Sequence, residues 1–345
     1  MSNPTFRKPA LYFKLPSNGK YYPEGSLDMP PNNELPIYPT TGLDEITVKT
    51  VDALFNGTAI TEVIKSCVPS IKDPWEIPVI DLDPLLVTIK LASFGGSMDI
   101  ETKCPKCDEN SKFGLNLASI LNTLKVGDYD SELEVNGLYV KYRPLKYKEF
   151  NQYNIQEFEF QKVLNTIATI TDENIKERKN NDAVKASLEM QIDRMSTSIE
   201  YIKTPDVTVT DKEFIKEFLH GCSIDYFQRI KDHYFELKES TQTKPLEIKC
   251  ISCGHEYEQP ILLNYCEYFR AKLLYMNPED IQKWIEEMEK EVNDIKSSAL
   301  KMSWYMRGGI TFNDILLLSD KERDAVNEII KENLDTTKKT QLPFF

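Results

Sequence analysis

The sequence lacks a long hydrophobic run and a positive net charge. No apolar stretch approaches the roughly 18 residues that a membrane-spanning helix needs, and the start, Met1 to Pro9, does not have the pattern of a signal peptide. We therefore expect a soluble chain that is made in a cytoplasm and does not enter a membrane. The formal net charge of -13 opposes binding of nucleic acid, because neutralisation of phosphates by cationic side chains dominates that affinity.

Complete catalytic motifs are also missing. The sequence has no phosphate-cradling glycine loop, no HExxH motif and no nucleophile elbow. Pairs of acidic residues carry little information in a chain with 55 of them, so an acid–base hydrolase stays open as an alternative. We predict that the protein is not an enzyme.

Cysteine is present in an odd number, seven, which favours a reducing compartment over a disulfide framework. Four of the cysteines form two pairs with two-residue spacing, Cys104-Pro-Lys-Cys107 and Cys250-Ile-Ser-Cys253, and both pairs lie between runs that alternate apolar and polar residues. This pattern is typical of a strand, a tight turn and a returning strand. The remaining cysteines lie in apolar helical patterns and are predicted to be buried free thiols.

Both sulfurs of such a turn can face one point, and two turns supply four thiolates in a tetrahedron. We predict a structural zinc site in a zinc ribbon that is split across the sequence, with Cys104, Cys107, Cys250 and Cys253 as ligands. A single pair could be a redox motif, and two unrelated surface turns are the simpler alternative. His255 is interpreted as a loop histidine, because four cysteines already fill the site.

Residues 1–42 differ from the rest of the chain in holding eight of the 19 prolines, interleaved with aromatic residues. Proline blocks helices and central strands, whereas pure disorder would be poorer in aromatic residues. We expect an extended arm that packs on its own body or on a neighbour, and whose removal leaves the body folded. Between residues 43 and 96 the sequence predicts helices, and Asp81 is expected to cap the N-terminus of the third.

Several motifs follow one another in an order that resembles the baseplate protein family of T4-like tailed phages. Members of this family are hub-associated subunits of contractile tails. The resemblance covers roughly residues 11–117 and is carried by these stretches: Leu15-Pro-Ser-Asn-Gly-Lys-Tyr-Tyr-Pro23, Thr41-Gly-Leu-Asp-Glu-Ile, Val51-Asp-Ala-Leu-Phe-Asn-Gly57, Val63-Ile-Lys-Ser-Cys-Val-Pro69, Lys72-Asp-Pro-Trp75, Ile80-Asp-Leu-Asp83 and Cys104-Pro-Lys-Cys107. It implies a structural or assembly role, and it brings no catalytic residues.

After the first cysteine pair, Asn136-Gly137 favours a type I′ hairpin turn. Residues 147–202 then predict two helices, the second with a heptad-like seam from Val184 through Ile192 to Ile202. The pair is either a solvated helical hairpin or a seam for a second copy or another subunit. Near the end, Asn277-Pro278 begins a long helix, and the apolar tail Leu342-Pro-Phe-Phe345 is expected to dock on a partner.

We therefore predict an α+β, mostly helical fold with a small split zinc-ribbon-like element, an inserted domain of a β-hairpin and helices, and a long C-terminal helix. The expected divisions are an arm at 1–42, a core at 43–117 plus 246–276, an insert at 118–245 and a helical C-terminal part at 277–345.

The expected function is a structural or assembly component of a phage baseplate in the virion, assembled in the host cytoplasm. Its expected partners are other baseplate and tail proteins, with self-association as an alternative. Two other functions stay open: a transient assembly factor or chaperone that is absent from the mature particle, and a zinc-ribbon nucleic-acid-binding protein. The second of these lacks the basic patch that such a site requires.

Overall fold

The computed structural model describes residues 7–123, 127–241, 245–261 and 263–341, and within them the protein is α+β and mostly helical, as predicted. The helices of this part of the chain are α1 (Gly42–Thr47), α2 (Val51–Asn56), α3 (Thr58–Cys67), α4 (Val79–Phe94), α5 (Leu117–Thr123), α6 (Tyr147–Ala168), α7 (Glu173–Ser198), α8 (Lys212–Gly221), α9 (Ile224–Thr241), α10 (Tyr265–Tyr275), α11 (Pro278–Tyr305), α12 (Phe312–Leu316) and α13 (Asp320–Thr340). A short 3-10 helix covers Pro74–Glu76.

The strands form small antiparallel sheets rather than one large sheet. They are β1 (Leu11–Phe13), β2 (Leu35–Ile37), β3 (Ser97–Lys103), β4 (Asn110–Asn116), β5 (Glu132–Val135), β6 (Leu138–Tyr142), β7 (Ile199–Lys203), β8 (Thr208–Val209), β9 (Leu246–Lys249) and β10 (Glu256–Gln259). Three sheets are two-stranded (β1–β2, β3–β4 and β9–β10), and the fourth has the order β5-β6-β7-β8. The predicted turn joins β5 to β6, with Asn136 at φ 51 and Gly137 at φ 83, as a type I′ turn requires.

Helix α4 is the centre of the fold, because it is buried on nearly all sides and contributes to three hydrophobic clusters. Leu85 lies in the main core, which also contains β2, α2, α3 and α10. Ile80 lies in a second core under the four-stranded sheet with α8 and α9. Val87 lies in a third cluster with residues of β4 and α5. A helix that is apolar all round is expected in such an interior position.

Asp81 does not cap α4, so that prediction is wrong. The helix begins at Val79 after Pro78, and Asp81 lies inside its first turn with no exposed surface. Its carboxylate instead accepts hydrogen bonds from the backbone N–H of Ser17, at 2.8 Å, and from the Ser17 hydroxyl. The residue is thus an anchor for the N-terminal arm.

The described part of the arm packs on its own chain. Leu15, Leu35 and Ile37 are 1%, 0% and 0% exposed and belong to the main core. This burial argues against the expectation that the body stays folded without residues 1–40, because their removal would open the core to water.

The predicted heptad seam is also wrong in its second half. Helix α7 ends at Ser198, and Ile199–Lys203 form β7, in which Ile202 pairs with Val140 of β6. In the helix, Ile192 is buried under the sheet, whereas Val184 and Leu188 are 69% and 46% exposed. The apolar residues keep the helical spacing of three and four through Ile199 and Ile202. At these positions pairing with β6 forms a strand instead of a helix.

Helix α11 begins at the predicted Asn277-Pro278 pair, where the Asn277 side chain accepts a hydrogen bond from the backbone N–H of Asp280. Its second half packs against α12 and α13 through Ala299 and Met302. Among the described helices, none is long and apolar enough to cross a membrane. The tail Leu342–Phe345 lies outside the described residues.

Candidate metal centre

The first cysteine pair lies at the closed end of the β3–β4 hairpin, between the paired residues Lys103 and Asn110. We call residues 104–107 the first knuckle. Its backbone is held by hydrogen bonds from the N–H of Cys104 to the carbonyl of Glu109 and from the N–H of Asp108 to the carbonyl of Cys104, both 2.9 Å. Asp108 adopts a left-handed conformation with φ 57.

The second pair, residues 250–253 or the second knuckle, repeats this arrangement. It lies at the end of the β9–β10 hairpin, where Lys249 pairs with Glu256 in the same register relative to the cysteines. The N–H of Cys250 donates to the carbonyl of His255 at 2.8 Å, and the N–H of Gly254 to that of Cys250 at 2.9 Å. Gly254, at φ 68, takes the left-handed position, which suits glycine because it has no Cβ. The two hairpins are therefore local duplicates.

All four predicted residues come together, although the knuckles are far apart in sequence. The Sγ atoms of Cys104, Cys107, Cys250 and Cys253 lie within 4.8 Å of one another. The sulfurs of Cys104 and Cys253 are 3.7 Å apart, and those of Cys107 and Cys250 are 3.6 Å apart. A disulfide would bring two sulfurs to about 2.05 Å, so the four residues are free thiols.

These separations fit a tetrahedral metal site. A Zn–S distance of about 2.3 Å gives a tetrahedron whose sulfur–sulfur edges are roughly 3.8 Å. The distances of 3.7 and 3.6 Å come close to that edge, so a zinc ion would fit with little movement of the side chains. The chemistry of the donor set agrees, because thiolates are preferred ligands of zinc.

Burial differs within each knuckle in the same way. The first cysteine, Cys104 or Cys250, is 1% or 2% exposed, whereas the second, Cys107 or Cys253, is exposed. The backbone N–H of Cys253 donates to the Cys250 sulfur and lowers the pKa of that thiol to about 7. The backbone N–H of Glu109 favours the thiolate of Cys107, but contacts led by the Cys253 thiol oppose it and raise the pKa of Cys107 to about 12. The thiols of Cys104 and Cys253, and those of Cys107 and Cys250, are within hydrogen-bond distance, and a divalent cation would displace their protons.

The surroundings hold the two hairpins together and onto α4. The hydroxyls of Thr102 on β3 and Tyr257 on β10 are 2.8 Å apart and form a hydrogen bond. Leu115 of β4 and Leu263 are buried in one cluster with Val87 of α4, and Leu246 packs against it. The ring of His255 stacks on Tyr257, and no nitrogen of His255 belongs to the group of potential metal ligands found in the described residues.

A second group of functional side chains, which sequence reasoning missed, lines a cavity of about 420 Å³ between α4, α7, α9 and α10. The charged residues of its wall are Asp83, Arg194, Lys238 and Glu267. Burial raises the pKa of Asp83 to about 6, and burial together with the charge of Asp83 raises that of Glu267 to about 7. Residues with perturbed pKa in a cavity are candidates for chemistry, so the absence of a catalytic site stays a prediction.

We expect the change Glu267→Gln to stabilise the protein at high pH. The pKa of Glu267 is higher in the folded state than its ordinary 4.5, so the folded wild type loses stability as the pH rises from about 5 through about 7. Glutamine keeps the acceptor for the Asn154 amide, which donates to Glu267 at 2.7 Å, and carries no charge. The gain should be about 3 kcal/mol at pH 8 and less than about 1 kcal/mol at pH 5.

Urea unfolding of both proteins at pH 8 and pH 5 measures this difference. Glu328→Gln, at an exposed position of α13, is the matched control and should change the free energy of unfolding little at either pH. An equal gain in the free energy of unfolding at both pH values, or none at pH 8, would show that burial does not raise the pKa of Glu267 in the folded protein.

Comparison with known proteins gives one match. A family model described as T4 bacteriophage base plate protein matches residues 46–270. Searches of curated proteins and of solved structures returned no match. The matched range runs from α1 into α10, so it includes both knuckles and the four-stranded sheet between them. It extends well beyond residue 117, where the resemblance seen in the sequence ended, and it leaves out the Leu15–Pro23 stretch.

Proposed function

Because the chain belongs to the T4 bacteriophage base plate protein family, we propose that it is a non-catalytic subunit of the hub region of a contractile tail baseplate and that it binds neighbouring baseplate subunits. Membership of this family supports a structural role in a phage baseplate and a location in the tail of the virion. Its partners are then other tail and baseplate proteins, with assembly in the host cytoplasm. The match over residues 46–270 is the observation that carries the proposal.

The metal in this proposal is a structural zinc ion held by Cys104, Cys107, Cys250 and Cys253. Support comes from the four sulfurs, which lie within 4.8 Å of one another in the described structure. When bound, zinc would cross-link the two hairpins and would have no coordination position left for a substrate, because four thiolates complete a tetrahedral site.

This cross-link defines the proposed domain organisation. The cysteines that face each other are 143 and 149 residues apart in sequence, and the four-stranded sheet with α6 to α9 lies between them. That segment has a hydrophobic core of its own, to which α4 adds Ile80. We propose that 118–245 is an insert, that 43–117 and 246–276 form one core with the arm at 1–42, and that 277–345 are a helical C-terminal part.

Two regions are proposed contact surfaces for partners. The apolar tail at 342–345 is one, as the sequence predicts. The other is the exposed half of α7 with Val184 and Leu188, where a second copy is the alternative to a different subunit. A role in nucleic-acid binding is disfavoured by the net charge of -13.

The alternative of a transient assembly factor is tested by the composition of particles. We expect peptides of this chain in purified phage particles, in a constant ratio to other baseplate proteins that survives high-salt washing. Quantitative mass spectrometry of purified particles and of infected-cell lysate measures this. Peptides that are abundant in the lysate and absent from the particles would show an assembly factor instead of a resident subunit.

A further inference from the structure

The cavity between α4, α7, α9 and α10 has charges of both signs in its wall, and each sign comes from a different pair of helices. The acids Asp83 and Glu267 lie on α4 and α10, and the cations Arg194 and Lys238 lie on α7 and α9. We propose that this cavity binds a small zwitterion, in which an ammonium group and a carboxylate are joined by a short hydrocarbon chain. The ammonium group lies at the two acids and the carboxylate at the two cations. The proposal is independent of the role in the baseplate and of the metal centre.

The acidic part of the wall offers two carboxylates to one cation. Burial, and then the charge of Asp83, raise the pKa of Glu267, so the two carboxyl groups lie near one another. Glu267 accepts a hydrogen bond from the Asn154 amide at 2.7 Å, whereas Asp83 accepts none within the part of the chain that the structure describes. The charge of Lys90 acts on Asp83, but the Lys90 ammonium lies over the ring of Tyr265, 4.6 Å from its centre. An ammonium group in the cavity would supply the donors that these carboxylates lack.

The cationic part of the wall is suited to an anion. Arg194 forms no ion pair among the described residues, and its guanidinium lies over the ring of Tyr153, 5.2 Å from the centre. Burial, and then the charge of Arg194, lower the pKa of Lys238, so the two cations lie close enough to repel each other. A carboxylate that contacts both would offset this repulsion, and a guanidinium can donate two parallel hydrogen bonds to it.

Two tyrosine hydroxyls provide further donors for the same anion. Tyr129 and Tyr234 line the cavity and are each 7% exposed, and neither hydroxyl forms a hydrogen bond with a described residue. Burial raises the pKa of Tyr234 to about 12 against the opposing charge of Arg194, and burial also raises the pKa of Tyr129. Both hydroxyls therefore keep their protons at neutral pH and can donate. A buried hydroxyl without a partner is unfavourable, so an acceptor in the cavity would stabilise this wall.

Much of the remaining wall is apolar, which favours a ligand with a hydrocarbon chain over a simple ion. The apolar residues include Leu82, Leu145, Phe150 and Leu263. A chain between the two charged ends of the ligand would cover this surface, as the apolar walls of small-molecule sites do. The volume of about 420 Å³ lies in the range of such sites, about 300–1,000 Å³.

A bound zwitterion would connect two of the proposed divisions of the chain. Helices α4 and α10, which carry the acids, belong to the core, and α7 and α9, which carry the cations, belong to the insert. The ligand would therefore contact both parts at once and stabilise their packing in proportion to its affinity.

Titration calorimetry of the full-length protein at pH 8 tests the proposal with ε-aminocaproate as the probe. Two further probes of the same chain length, caproate and hexylamine, each lack one of the charged groups. We expect ε-aminocaproate to bind at one site per chain, at least about tenfold more tightly than either of the other two, because each lost group removes charge-assisted hydrogen bonds. Equal binding of the three probes, or no binding of ε-aminocaproate at millimolar concentration, would overturn the proposal.

Two variants locate the binding in this cavity. Glu267→Gln removes one charge from the acidic part, and Arg194→Gln removes one from the cationic part. Each should weaken the binding of ε-aminocaproate by about tenfold or more. Glu328→Gln, at an exposed position of α13, is the matched control and should leave the affinity unchanged.

Unfolding does not account for the result expected from Glu267→Gln, because this change should raise the stability of the protein at pH 8 while it weakens binding. Wild-type affinity in both cavity variants would overturn the proposal. If Arg194→Gln does not fold, as circular dichroism would show, Glu267→Gln and the comparison of the three probes on the wild type decide the question.

Discussion

Replacement of Cys104 or Cys250 by serine should remove zinc from the purified protein and loosen the two hairpins. Both residues are buried at the point where the knuckles meet, so a serine there leaves three thiolates and a weak ligand. Binding of structural zinc is worth on the order of 10–16 kcal/mol in peptides at neutral pH. Closure of a loop between residues that are 143 positions apart costs about 4–5 kcal/mol. Loss of the metal should therefore loosen the contact between the knuckles, where the Thr102–Tyr257 hydrogen bond and the apolar cluster against α4 remain.

The metal-to-protein ratio and hydrogen exchange measure this effect. We expect about one zinc per wild-type chain and almost none in either variant, with faster exchange in β3, β4, β9 and β10 and unchanged exchange in the four-stranded sheet. Cys222→Ser is the control, because Cys222 is a partly exposed thiol outside the cluster. A variant that keeps a full equivalent of zinc would show that the four cysteines are not its ligands.

Removal of residues 1–40 should unfold the main core. Leu15, Leu35 and Ile37 are almost completely buried there, and truncation of one such side chain to alanine costs about 2–5 kcal/mol. The loss of all three is comparable with the entire stability of a domain, about 5–15 kcal/mol. The deletion would also leave the Asp81 carboxylate without its hydrogen bonds from Ser17.

Single substitutions measure the same effect in a protein that still folds. Leu35→Ala should lower the free energy of unfolding by about 2–5 kcal/mol, whereas Leu43→Ala, at a side chain that is 47% exposed, should lower it by less than about 1 kcal/mol. A soluble, cooperatively folded protein without residues 1–40 would contradict the assignment of the arm to the core.

Features that depend on neighbouring residues were predictable from the sequence. The turn at Asn136-Gly137 and the helix start at Asn277-Pro278 both form as predicted, because backbone conformation and capping are decided within a few residues. The contact between the two knuckles is a long-range feature that could also be predicted. One tetrahedral metal site needs four thiolates, and each cysteine pair supplies only two.

Features that depend on distant partners could not be predicted in this way. Asp81 looks like a helix cap until Ser17 of the arm provides two donors for its carboxylate. Ile202 continues a helical spacing, yet pairing with Val140 places it in a strand. The cavity with Asp83 and Glu267 has no local signal at all, because acidic residues are common throughout the chain.

X-ray absorption at the zinc edge of the purified full-length protein tests the shared site most directly. The four-cysteine site predicts a single shell of four sulfur atoms at about 2.3 Å from the metal. A shell with nitrogen or oxygen ligands, or with fewer than four sulfurs, would contradict the claim that one zinc ion joins Cys104 and Cys107 to Cys250 and Cys253.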